Sequence, residues 1–242
     1  MLKLLAGLFA VGKLGKVLTT GGTMLLSVVA YAWLLGWWYA VGFVVLIFVH
    51  EMGHYIAARQ RGLPVGAPMF IPFVGAWIQL KEMPHDAEME AYIGMAGPLV
   101  GTLGALVCYF IARNTGSTLM LALSYAGFFL NLFNLIPLSP FDGGRITAVL
   151  SPRVWLAGVP ILVALFFYNP NPLLILMGLL AAPQMIKAFK YDAAAPENAA
   201  YYGVTMETKF TYGILYLGLA LFLAMMTNDV HEMLASARVT GR

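Results

Sequence analysis

Three ionisable residues stand close together in the stretch VHEMGHYIAAR: His50, Glu51 and His54. On a helix the two histidines are about 40° apart around the axis and about 6 Å apart along it, so both imidazoles can reach one metal ion. Glu51 projects about 100° away, where it can act as a general base on a water molecule beside the metal. The H-E-x-x-H spacing therefore predicts a catalytic metal site.

A catalytic zinc site commonly has three protein ligands and a water, so two histidines leave one ligand to be found. Asp142 is the best-placed carboxylate, because it lies in an apolar segment that Pro137 and Pro140 interrupt. A helix cap or a salt bridge to Arg145 is the alternative interpretation of Asp142. Three further candidates fit less well. His85 lies in a polar loop, His231 lies in the C-terminal tail, and Cys108 lies in a separate apolar segment.

The composition indicates an integral membrane protein surrounded by the lipid bilayer. Of 242 residues, 61% are hydrophobic and 10% are charged, and the mean hydropathy is +0.81. Soluble domains usually carry about 25% charged residues. The net charge of +3 is small and its lysines and arginines are scattered, which argues against a nucleic-acid partner. Ionisable groups within membrane helices usually face a bundle interior and serve function.

Apolar segments of suitable length predict an all-α polytopic membrane protein with six to seven transmembrane helices. Residues 1–22 precede them and carry Lys3, Lys13 and Lys16 within one arc of a helical wheel, which predicts an amphipathic helix on the membrane surface. The candidate spans are residues 23–35, 37–58, 91–112, 118–136, 154–168, 173–188 and 210–227.

The distribution of positive charge predicts the orientation. With a cytoplasmic N-terminus and seven spans, eleven of the 14 lysines and arginines fall on the cytoplasmic side. His50 and Asp142 then both lie toward that side, so we expect the active site to open to the cytoplasm. A prokaryotic plasma membrane is the expected location.

Two stretches are too rich in proline and glycine for continuous helices. Residues 64–84 have an extended, apolar centre and predict a short β-hairpin-like segment embedded in the membrane. Residues 131–145 predict a broken helix with Asp142 in the break. Gly97, Gly101 and Gly104 predict a surface of small residues at which helices approach closely.

Three motifs in order, HEMGH, GPLVG at 97–101 and NLIPLSPFDGG at 134–144, resemble the site-2 protease family of intramembrane zinc metalloproteases. The resemblance covers about residues 24–150. It implies that His50, His54 and Asp142 hold one Zn²⁺ and that Glu51 is the general base. It also implies that Asn134 binds the substrate backbone or the developing oxyanion, and that the hairpin pairs with an unwound substrate.

The resemblance divides the chain into an N-terminal interfacial segment at 1–22, a catalytic core at 23–150 and additional transmembrane helices with a short tail at 151–242. Many family members carry PDZ or cystathionine-synthase-type domains, and neither is evident in this sequence. Phe141 stands where leucine or methionine is often found, but it is equally apolar.

The expected function is intramembrane zinc endopeptidase, cutting transmembrane protein substrates near the cytoplasmic face. By resemblance, the substrate is an anti-sigma factor, another membrane-tethered transcription regulator or a signal-peptide remnant. One alternative is a membrane metal transporter that uses the same His/His/Asp site. Another is an inactive relative that binds membrane helices, against which the presence of Glu51 argues.

Overall fold

The computed structural model describes the backbone of residues 2–73 and 75–239, and the side chains of residues 18–237 except 74, 77 and 79. Its helices are α1 (Leu2–Leu35), α2 (Trp37–Gln60), α3 (Ala87–Thr115), α4 (Thr118–Asn134), α5 (Asp142–Thr147), α6 (Gly158–Tyr168), α7 (Pro172–Phe189), α8 (Pro196–Tyr202) and α9 (Met206–Val239). A 3-10 helix at Pro152–Ala157 precedes α6. The strands are β1 (Val65–Ile71) and β2 (Gly75–Leu80).

Five helices in the described part of the chain are long and apolar enough to cross a membrane: α1 from Leu18, α2, α3, α7, and α9 as far as Ala237. Two shorter apolar helical segments, α4 and Pro152–Tyr168, match the remaining candidate spans. The predicted helical membrane fold is thus confirmed in outline, while the count of six to seven spans stays a prediction.

The predicted amphipathic face of residues 1–22 lies mostly outside the described side chains. The backbone there is helical and continuous with the segment that follows, since α1 runs from Leu2 to Leu35 without a break. The predicted division at residue 22 therefore does not coincide with the end of a helix.

The predicted hairpin is confirmed as a two-stranded antiparallel sheet, with Val65 opposite Leu80 and Ile71 opposite Gly75. Side chains of α1 hold β1. Thr20 Oγ1 donates to the Pro68 carbonyl at 2.8 Å, and the Phe70 N–H donates to Thr23 Oγ1 at 3.2 Å. The outer side of β1 is therefore occupied by α1, whereas β2 lies next to α2.

The predicted break between residues 131 and 145 is confirmed. Helix α4 ends at Asn134, and α5 begins at Asp142 after an irregular segment that contains both prolines. Proline lacks the N–H that a helix interior needs, which explains the interruption. Gly143 and Gly144 of α5 pack so closely on backbone atoms of residues 135–139 that a Cβ on either would overlap them. The DGG sequence thus folds α5 back onto the break.

Helix α3 lies at the centre of the fold, in contact with α2, α4 and α5. Asp86 caps its N-terminus by accepting a hydrogen bond from the Met89 N–H at 2.7 Å, and Gly116 ends it with a positive φ of 70°. Because α2 carries HEMGH, α4 leads into the break and α5 carries Asp142, the contacts of α3 set the relative positions of the site residues.

Candidate metal and catalytic site

The two histidines and the aspartate meet in the interior, although 92 residues separate His50 from Asp142. His50 Nε2 lies 3.0 Å from Asp142 Oδ2, and His54 Nε2 lies 3.1 Å from Asp142 Oδ1. The two Nε2 atoms are 3.1 Å apart. All three residues are buried. Three ligand atoms from α2 and α5 therefore converge on one point.

This arrangement fits a small cation. Ligand atoms around a four-coordinate zinc lie about 3.3 Å apart, given bonds of about 2.0–2.1 Å. The observed separations of 3.0–3.1 Å are close to that spacing. Among the described residues, this is the one group of three histidine, cysteine or carboxylate side chains close enough to hold a metal ion. A His/His/carboxylate set leaves a fourth position for a water, as catalytic zinc sites do.

The other ring nitrogen of each histidine has its own acceptor. His50 Nδ1 lies 2.7 Å from Asn131 Oδ1, and His54 Nδ1 lies 2.7 Å from the Ile93 carbonyl. The Asn131 amide nitrogen donates to the Gly127 carbonyl at 2.7 Å, so its oxygen is the atom that faces His50. Each Nδ1 therefore carries the proton, and each Nε2 lone pair points into the site.

The sequence did not predict the contact between Asn131 and His50, because only Asn134 was identified on helix α4 as a candidate site residue. Asn131 is buried and lies one turn earlier on α4. The signal available was an uncharged polar residue in an otherwise apolar helix, because a buried amide needs partners. Its partner could be identified only from the packing of α4 against α2.

The glycines of GPLVG support the site directly. A Cβ at Gly97 would overlap the His54 imidazole, and a Cβ at Gly101 would overlap the Asn131 amide. Gly104 differs, since the nearest side-chain atom to its Cβ would be Val49 Cγ1 at 3.2 Å. The predicted small-residue surface does bring helices together, and its first two glycines also leave room for the His54 imidazole and the Asn131 amide.

A cavity of about 430 Å³ reaches the three candidate ligand residues. Glu51 and Asn134 line the same cavity, so all five residues singled out in the sequence border one space. Glu51 is 8% exposed and makes no hydrogen bond or salt bridge to another described residue. Asn134 donates one amide hydrogen to the Leu130 carbonyl at 3.0 Å, which leaves the second hydrogen available.

The C-terminal half of the chain also contributes to this cavity. Gln184 of α7 lines it and accepts a hydrogen bond from the Ser139 N–H in the break. His231 and Cys108, two of the weaker sequence candidates, do not line this cavity. The His231 and Tyr125 ring centroids are 5.6 Å apart, and Cys108 lies on α3. Asp142 forms no salt bridge with Arg145 among the described residues, because both its oxygens face the histidines.

Comparisons with known proteins point the same way. The sequence model for peptidase family M50 matches residues 38–126. A zinc metalloprotease of Methanocaldococcus jannaschii is 34% identical over 124 residues, which are 48% of this chain and 36% of that protein. Rip3 of Mycobacterium tuberculosis, which carries the zinc metalloprotease name, is 32% identical over 121 residues, or 47% of this chain and 31% of that protein. Each alignment thus spans about a third of the relative.

Among solved structures, the site-2 protease from Methanocaldococcus jannaschii matches with a TM-score of 0.45 and 23% identity, over 69% of this chain and 83% of that one. The family model covers α2, the hairpin, α3 and the start of α4, and therefore includes HEMGH and GPLVG. The matched residues and the zinc metalloproteases that share them confirm the predicted resemblance: the chain is similar over residues 38–126 to peptidase family M50.

Proposed function

We propose that the chain is an intramembrane zinc endopeptidase that hydrolyses peptide bonds within or near transmembrane segments of membrane-anchored proteins. The observation that carries the proposal is the buried convergence of His50, His54 and Asp142 on a cavity that Glu51 and Asn134 also line. These three ligands would hold one Zn²⁺, the metal named for the relatives. When bound, the ion would supply Lewis-acid activation of a water and of the scissile carbonyl.

The chain's own side chains would carry out the proton transfers. Glu51 lies on the cavity wall with no hydrogen-bond partner among the described residues, so its carboxylate is available to take a proton from the attacking water. The same group can return that proton to the leaving amine. Asn134 has one free amide hydrogen to donate to the oxygen on which negative charge develops.

Zinc analysis and a cleavage assay test this proposal together. The purified chain should contain zinc and should cut a purified transmembrane peptide in detergent or nanodiscs. A chain that binds zinc at this site and cuts no such peptide contradicts the proposal.

The supporting asparagine offers a test of the ligand assignment. Asn131→Ala removes the acceptor that orients His50, so zinc affinity should fall by about 10–100-fold. The measurement is a competition titration against a chelator of known affinity. Asn134→Ala is the matched control, since it removes an amide one turn away that contacts neither histidine; it should lower the cleavage rate and leave zinc affinity unchanged. Equal zinc affinities for the two variants would contradict the assignment.

The hairpin supports a mode of substrate binding. Alternate residues of β2, Ala76, Ile78 and Leu80, line the cavity, and β1 is the one strand that pairs with β2 in the described structure. Among the described residues no other strand pairs with the second edge of β2, and this edge is the proposed position for an extended substrate. A transmembrane helix must unwind before its peptide bonds become accessible, and an extended segment can then add to a strand edge.

Substrate N-methylation tests this strand addition. Methylating single backbone amides around the scissile bond removes one donor at a time. Because backbone groups of an added strand face its neighbour at every second residue, cleavage should be sensitive at alternate positions and tolerant between them. The measurement is kcat/KM for each methylated peptide. Uniform sensitivity, or sensitivity without a period of two, contradicts pairing with β2.

The location and the substrates are proposed by the same reasoning. The excess of positive charge on one side supports a cytoplasmic N-terminus and a cytoplasmic active-site opening in a prokaryotic plasma membrane. Membrane-anchored regulators, such as an anti-sigma factor or a tethered transcription factor, and signal-peptide remnants are the proposed substrate classes.

A further inference from the structure

Arg145 places a positive charge on the wall of the cavity. It lies on α5 three residues after Asp142, is half-buried and lines the same cavity. A guanidinium stays charged and presents five N–H donors in a planar fork. Within the part of the chain that the structure describes, Arg145 makes no salt bridge or side-chain hydrogen bond.

The three carboxylates that line the cavity form no salt bridge with Arg145 in the described structure. Both oxygens of Asp142 face imidazole nitrogens. Glu90 accepts a hydrogen bond from the Tyr201 hydroxyl at 2.7 Å. Burial raises the pKa of Tyr201 and the Glu90 carboxylate raises it further, so the phenol keeps its proton and continues to donate. Glu51 is the third carboxylate on the wall, and it is not within salt-bridge distance of Arg145.

The base of the Arg145 side chain is held in place. A Cβ at Gly94 of α3 would lie 3.1 Å from Arg145 Cβ, so α3 and α5 pack tightly at this point. The Trp155 indole N–H donates to the Gly144 carbonyl at 2.8 Å and ties the adjoining turn of α5 to the 3-10 helix. The backbone of Arg145 is therefore fixed, and the guanidinium is the part left to meet a ligand in the cavity.

We propose that Arg145 binds a carboxylate of the substrate and thereby selects substrates with a negative charge close to the scissile bond. A guanidinium and a carboxylate pair through two charge-assisted hydrogen bonds, which are strong in a partly desolvated cavity. Arg145 lies three helical residues, or about 4.5 Å, beyond Asp142, which is between one and two residues of an extended substrate at about 3.3 Å per residue. Because the arginine side chain is long, we expect the substrate carboxylate within about three residues of the scissile bond. The proposal rests on the peptidase function proposed above.

Two sources can provide this carboxylate: an aspartate or glutamate side chain, or the C-terminus of an already shortened substrate. The probes are therefore two pairs of synthetic transmembrane peptides. One pair differs by Glu or Gln near the expected cleavage position, and the other pair differs by a free or an amidated C-terminus. A preference for the acid in the first pair identifies a side chain, and a preference in the second identifies a terminus.

Binding is the main measurement, because it does not depend on catalysis. Peptide affinities are measured on the full chain carrying Glu51→Gln, with and without Arg145→Gln. The acid should bind at least roughly tenfold tighter than its uncharged partner, and Arg145→Gln should bring the two affinities together. Arg145→Lys, which keeps the charge but loses the fork, should retain part of the preference. Arg153→Gln, the same change at an exposed position outside the cavity, should retain all of it.

Two results would overturn the proposal. The first is no preference for the acid in either peptide pair when Arg145 is intact, a result that does not depend on how the variants fold. The second is a preference that persists in Arg145→Gln. A chain that binds peptides with the expected preference but cleaves none of them, even with Glu51 intact, would instead refute the peptidase function and leave the role of Arg145 standing.

Discussion

Replacing Glu51 with glutamine should lower the single-turnover rate constant for cleavage of a transmembrane peptide by at least about 100-fold, within the range that a general base contributes. Glutamine has nearly the same shape, but it cannot accept the proton. His50, His54 and Asp142 are unchanged in this variant, so the zinc content should match that of the unmodified chain. The measurements are single-turnover cleavage rates and zinc content by elemental analysis on the same preparation.

A matched control is Glu207→Gln, the same change at an exposed position in the first turn of α9. It should cleave at the unmodified rate. If Glu51→Gln and the unmodified chain cleave alike, the proposed role of Glu51 is wrong. If neither chain cleaves and both carry zinc across vesicle membranes, the metal transporter is the better interpretation, since transit through a His/His/Asp site needs no general base.

Adding a single methyl group at Gly97 should lower both zinc affinity and cleavage. In Gly97→Ala the added Cβ would overlap the His54 imidazole, so the ring must leave its position beside Asp142. Loss of one of the three proposed ligands should lower zinc affinity by about 100-fold or more, at or above the upper end of the effect of removing a group that orients a ligand. Cleavage should be lost together with the zinc. Zinc affinity by competition and the cleavage rate are the two measurements.

Gly104→Ala is the control for Gly97→Ala on the same helix. Its Cβ would come within 3.2 Å of Val49 Cγ1, a side-chain atom that can shift slightly. We expect near-normal zinc affinity and cleavage from this variant. If both variants lose zinc equally, the glycines matter for helix packing in general, and the specific contact between Gly97 and His54 is not the cause.

Local sequence was enough to predict the parts of the site that lie within one element. The HEMGH residues share one helix, and helical geometry alone brings His50 and His54 together. Proline and glycine predicted both interruptions, because a missing N–H and free backbone torsions act within a few residues. The hairpin and the break before α5 appear where those residues cluster. The pairing of Asp142 with HEMGH was also expected, since apolar spans and charge bias put both on one side.

Contacts between elements were decided only in the tertiary structure. Whether Asn131 or Asn134 meets His50 depends on the rotation of α4 about its own axis, and both residues sit on the same helix one turn apart. The attachment of the hairpin to α1 depends on Thr20 and Thr23 reaching backbone atoms more than forty residues away.

The same limit applies to Gly97 and Arg145. A glycine signals close approach, but not which side chain approaches it, and the ring of His54 reaches Gly97 only because α2 packs against α3. In the sequence, a salt bridge between Arg145 and Asp142 was the alternative to a metal-ligand role for Asp142. In the structure both Asp142 carboxylate oxygens face the histidines. The Arg145 guanidinium lies on the cavity wall and forms no salt bridge with a described residue. The sequence thus determined which chemical groups are present and how they are spaced along each element. The packing of the helices against one another determined which groups meet, because those contacts depend on shape across the whole bundle.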